Sequence, residues 1–60
     1  MTPNILRLMP IASTLIFFRA RDGRMLAVRR LTAHIWHVEH EGRPIRAGSA
    51  VQVAQYMKEV

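Results

Sequence analysis

The sequence predicts an α+β domain, a three-stranded antiparallel sheet covered on one face by a C-terminal helix (βββα), with a short fourth strand admitted at its end. Three observations carry that prediction. Asp22-Gly23 lies between two apolar runs, a hairpin signal because both residues tolerate positive φ. The runs around it are rich in β-branched and aromatic side chains. Ser49 and Gln52 then have the spacing of a helix capping box, directly ahead of an apolar stripe.

Residues 1–10 read as an irregular N-terminal lead-in, since Pro3 and Pro10 interrupt any regular element. Ile5, Leu6, Leu8 and Met9 are expected to pack on the domain that follows. Residues 11–60 form that single small domain. Its first strand covers residues 11–21, its second 24–31 and its third 34–41. Glu41-Gly42 turns the chain into residues 43–46, a short strand that Pro44 confines to an edge. In the helix, Ala50, Val53, Ala54 and Met57 form one buried stripe, and Gln52, Gln55 and Glu59 fall outside it.

A two-residue Asp22-Gly23 loop fixes a register. It sets Arg21 opposite Arg24, Arg19 opposite Leu26, Phe17 opposite Val28 and Leu15 opposite Arg30, all on one outer face. The other face carries Ile16, Phe18, Ala20, Met25, Ala27 and Leu31, with Arg29 as the exception, and is the better core. A second two-residue connection pairs Val28 with His37 and brings Trp36 and Val38 to the core face. Glu39 and Glu41 then lie beside Arg19 and Arg24. A loop one residue longer would bury Glu39 without a partner, so the shorter loop is expected.

Composition bounds the function. The chain has 60 residues and no cysteine, which excludes disulfides and Cys-ligated zinc. Eight arginines and one lysine against four acids give a net charge of +5. Such a density of positive charge favours anionic partners, nucleic acid first and acidic protein surfaces second. Residues 5–18 are apolar apart from Arg7 but broken by Pro10, too short for the ~20 residues that span a bilayer. Arg7 ahead of an apolar stretch ending near Ala20 has the outline of a signal peptide. Cleavage there would leave about 40 residues, fewer than usually fold unaided, so a soluble cytoplasmic chain is expected.

Little in the sequence supports catalysis or metal binding. On a strand His34 and His40 share a face ~20 Å apart while His37 points away, so the three cannot clamp one ion. His37 and Glu39 are neighbours on the outer face and form a weak site only with a partner's residues. Ser13, Thr14 and Ser49 have no base beside them, and the chain is too small to enclose a pocket. No cofactor and no enzymatic activity are expected. The best constellation is Arg19, Arg21, Arg24 and Arg30 with Phe17, a mixed arginine-aromatic surface suited to nucleic acid or a protein partner.

The order of strand, Asp22-Gly23-Arg24 turn, strand, Trp36-bearing strand and helix with Ala54 and Tyr56 resembles the small domains of phage integrases that hold arm-site DNA. The resemblance covers roughly residues 17–57 and implies DNA contact through the sheet. Glu39 and Glu41 depart from it by placing acids on that sheet, and the sequence is assigned to no family. Two readings follow: a basic module that binds nucleic acid through the arginine-rich face, or a protein-interaction or homodimerising domain. A weak homodimer through the first strand is expected in either case, because that edge holds no proline or lysine.

Overall fold

The computed structural model describes residues 2–12 and 15–60. Its elements run α1 (Pro3–Arg7), β1 (Leu15–Arg19), β2 (Met25–Arg30), β3 (Trp36–His40), β4 (Arg43–Gly48) and α2 (Ala50–Glu59). The strands form an antiparallel meander in the order β1-β2-β3-β4. Both helices contribute to one core on a single face of it, and the α+β prediction with its fourth strand holds.

The lead-in is not irregular, because Pro3 starts α1 at a position where its missing N–H costs nothing. Leu6 and Met9 enter the core as expected, while Ile5 and Leu8 stay exposed. The first strand is shorter than predicted. Ile11 and Ala12 form a turn, and the stretch through Ser13 and Thr14 lies outside the described residues.

The Asp22-Gly23 hairpin forms, but its loop holds three residues instead of two. Ala20 N–H donates to Arg24 O at 2.8 Å, and Gly23 N–H donates to Ala20 O at 3.0 Å. Of the loop residues only Gly23 has positive φ, at 94°, so the loop is a turn closed by a left-handed glycine. Asp22 spends its carboxylate locally, accepting the Arg24 N–H at 3.0 Å. The extra residue shifts the register by one, to Phe17 opposite Ala27 and Phe18 opposite Leu26. Leu26 and Val28 therefore face the core, and Met25, Ala27 and Arg29 face outward, the reverse of the expectation for β2.

The second connection is also one residue longer, with Leu31 N–H donating to Ile35 O at 2.8 Å. Val28 pairs with Val38 and Arg29 with His37. Two flips cancel, so Trp36 and Val38 reach the core face as predicted although both predicted registers are off by one. The expected Glu39 and Glu41 contacts with Arg19 and Arg24 do not form. The third loop is the primed two-residue turn: Glu41 and Gly42 both have positive φ, 52° and 80°, between the paired His40 and Arg43.

Trp36 anchors the core. Its indole N–H donates to Leu6 O at 3.1 Å, tying α1 to the sheet. Leu6, Leu26, Val28, Val38 and Val53 are fully buried around it. Each contributes about 1.5–3 kcal/mol of apolar burial. The helix stripe is as read from the sequence, with Ala50, Val53 and Ala54 buried and Met57 packed against the core. The capping box is complete: Ser49 Oγ accepts Gln52 N–H at 3.2 Å, and Gln52 Oε1 accepts Ser49 N–H at 2.9 Å. At the far end of α2, Arg21 N–H donates to Val60 O at 2.6 Å, pinning the helix to the first hairpin loop.

Candidate nucleic-acid interface

The meander places the β1-β2 and β3-β4 turns at one end of the sheet, and α2 terminates at that same end. Three of the four predicted arginines lie there. Arg19 closes β1 on the outer face, and its Nη1 donates to Gly23 O at 2.8 Å. Arg21 sits in the loop, with Nη2 donating to Lys58 O at 3.4 Å, which places a cation at the negative end of the helix dipole. Arg24 is paired with Asp22 at 2.7 Å. Phe17 lies on the outer face and is 64% exposed.

Arg30 is separated from them. It ends β2 at the opposite end of the sheet, six residues beyond Arg24 and hence ~20 Å away. Its guanidinium donates to Arg7 O at 3.0 Å, Met9 O at 2.9 Å, Ala33 O at 2.7 Å and Thr32 O at 3.3 Å. It also stacks 4.8 Å above the Trp36 ring. One arginine thus joins the lead-in, the second loop and the core. Sequence reasoning placed it on the outer face because the loop length was one short.

The outer face has an acid at its centre. Glu39 accepts from Arg29 Nε at 3.1 Å and contacts His37 Nε2. The hydrogen bond from His37, and then the Arg29 guanidinium, hold the Glu39 carboxyl below its ordinary range against the opposing effect of burial. Asp22 is lowered as well, first by the Arg24 backbone N–H. Arg29 is therefore neutralised, and the middle of the sheet presents no surplus positive charge.

Among the described residues, Arg7, Arg19, Arg21, Arg30, Arg43, Arg46 and Lys58 have no acid within ion-pair distance. Arg7 and Arg30 are at the end away from the hairpin; the other five lie at the hairpin end and along β4, where Glu41 and Glu59 also sit. Arg43 lies opposite His40, and Arg46 stacks 5.2 Å above the Tyr56 ring. Arg43, Arg46 and Lys58 were not among the predicted site residues. The signal that could have found them is arithmetic: Asp22 and Glu39 each neutralise a close arginine, and β4 carries arginines without acids. Arg19 and Arg43 stand on the two edge strands, Arg19 on the outer face with Phe17, and Arg43 and Arg46, opposite His40 and Val38, on the helix side.

Two depressions on the surface are open to solvent. One between the helices is lined by Pro3, Val51, Gln55 and Lys58, the other by Arg7, Arg30, His34 and Ser49. Among the described residues no three His, Asp or Glu side chains gather around a point where a metal ion could sit. No helix of the described residues is long and apolar enough to cross a membrane. No protein-family model, curated protein or solved structure matches the chain.

Proposed function

We propose that the protein is a small basic binding module, without enzymatic activity, that grips the phosphate backbone of a nucleic acid with the hairpin end of its sheet. The observation that carries this reading is the pattern of charge pairing. The acids at the sheet centre and first turn are spent on Arg29, His37 and Arg24. Arg19, Arg21, Arg43, Arg46 and Lys58, at the hairpin end and along β4, outnumber the acids Glu41 and Glu59 there, while Arg7 and Arg30 lie at the opposite end. The net charge is +5. Arg19 and Arg21 are held by backbone carbonyls through single N–H groups, leaving the rest of each guanidinium fork to engage phosphate. Such contacts fix position and carry no sequence information by themselves. A ligand of this kind fits a cytoplasmic chain, and a sequence without cysteine is compatible with that compartment.

Fluorescence anisotropy with a labelled duplex and a labelled single strand tests the reading. The double variant R19Q/R43Q is expected to weaken binding about tenfold or more, at roughly 1 kcal/mol per lost contact. R7Q, at the opposite end of the sheet, is expected to leave affinity within about twofold. Equal losses from both variants would mean that net charge alone attracts the ligand. No binding of either probe at low salt would remove nucleic acid and leave an acidic protein surface as the partner.

A further inference from the structure

The two edges of the sheet are treated differently. β4 carries Pro44, a bulge beside it and two arginines, the devices that keep an edge from pairing. β1, Leu-Ile-Phe-Phe-Arg, has neither proline nor bulge, and its single arginine is at its end. Ala20 N–H bonds to β2, so by the alternation of an antiparallel ladder Phe18 and Ile16 also turn their backbone groups inward. The N–H and C=O groups of Leu15, Phe17 and Arg19 then point away from the sheet. Among the described residues no backbone group hydrogen-bonds to them.

We propose that β1 pairs with β1 of a second copy, antiparallel about a two-fold axis through Phe17, joining two four-stranded sheets into one. This inference is independent of the nucleic-acid reading. The five-residue strand is self-complementary in this register and in no other centred on it. Phe17 meets Phe17 of the second copy, and Leu15 meets Arg19, so every outward backbone group is bonded. Centring the axis on Ile16 or Phe18 would leave outward groups unpaired.

Side chains agree on both faces. On the open face the two Phe17 rings, each 64% exposed in the single chain, become cross-strand neighbours. Arg19 lies over Leu15 of the second copy, and the two Arg19 side chains stand about four residues, or ~13 Å, apart. Like charges therefore do not oppose each other at the junction. On the helix face the half-buried Ile16 of one copy faces the half-buried Phe18 of the other, extending both cores across the seam. Five residues per strand bury less than the ~1,200 Å² of a standard interface, which makes the dimer weak and concentration-dependent. Each copy carries a charge of +5, so salt strengthens the pairing by screening long-range repulsion.

The absence of cysteine gives a direct test. Residues in a hydrogen-bonded antiparallel pair lie ~5.5 Å apart at Cα, within disulfide reach. F17C is expected to cross-link to itself under mild oxidation at least tenfold faster than A47C, an exposed position on β4. F17K, with its fold verified by circular dichroism, should sediment as a monomer at concentrations where the unmodified protein shows a dimer, and M25K should dimerise normally. Raising salt should increase the dimer fraction. Equal cross-linking rates for F17C and A47C, or a single monomeric species for the unmodified protein up to millimolar concentration, would overturn the proposal. Loss of the dimer in M25K as in F17K would also overturn it, because the contact would then be face to face.

Discussion

Replacing Arg30 by lysine keeps the charge and removes the fork. A lysine ammonium can satisfy one or two of the four carbonyls that Arg30 joins, and it has no planar face to lay on Trp36. Two charge-assisted hydrogen bonds in this half-exposed setting are worth about 1 kcal/mol each. Stacking on the indole adds about 0.5–1 kcal/mol. The expected loss for R30K is therefore about 2–3 kcal/mol. R30M, which also leaves the carbonyls at the end of α1 without a donor, should lose about 3 kcal/mol or more. Domains of this size have total stabilities of roughly 3–9 kcal/mol, so R30K removes a large fraction. Urea denaturation followed through the single tryptophan is the assay, because Trp36 lies under the substituted group. An R30K midpoint that corresponds to a loss under about 0.5 kcal/mol would refute the structural role assigned to Arg30 and return it to the list of residues free to bind.

Two further outcomes bear on the hairpin and the outer face. G23A should destabilise by about 1–2 kcal/mol, since a Cβ at φ 94° meets no neighbour within 4 Å and the cost is purely that of the left-handed backbone. D-Ala at position 23 should restore stability in thermal melts, and an L-Ala variant as stable as the parent would contradict the three-residue loop. The Glu39 carboxyl titrates below its ordinary value of 4.5, so its contribution is complete above that value and is lost as pH falls through the lowered native value. Stability measured from pH 6 down to pH 3 should therefore fall less steeply in E39Q than in the parent protein. Identical slopes below pH 4.5 would show that the pairing with His37 and Arg29 carries no stability.

The elements were legible wherever one local signal was sufficient. Ser49 and Gln52 defined the start of α2, and the Ala50, Val53, Ala54 stripe named its buried side. Pro44 placed β4 at an edge. The register was not legible, because β2 offers apolar residues to both faces and Asp-Gly is compatible with two- and three-residue loops. Leu26 and Val28 make as good a core row as Met25 and Ala27, and an arginine ends up among the inward residues either way. That ambiguity moved Arg30 from the proposed surface to a structural clasp. It also moved Arg29 to the outer face, where Glu39 and His37 receive it. Pro3 misled in the opposite direction, since a proline that stops a helix in its interior starts one at its first position. Arg19, Arg21 and Arg24 were named from the sequence, but Arg43 and Lys58 were missed as their neighbours because that grouping depends on three-dimensional adjacency of two turns and a helix end, which no run of sequence displays.

The central claim, that the unpaired cations of the hairpin end and of β4 contact phosphates, is tested most directly by the salt dependence of affinity. With the labelled duplex titrated at salt concentrations from about 50 to 300 mM, counterion release predicts a log-log slope of about −0.9 per phosphate contact. Engagement of Arg19, Arg21, Arg43, Arg46 and Lys58 then gives a slope of roughly −4 to −5, and R19Q/R43Q should reduce its magnitude by about 2. A slope near zero, or one that R19Q/R43Q leaves unchanged, would contradict the account.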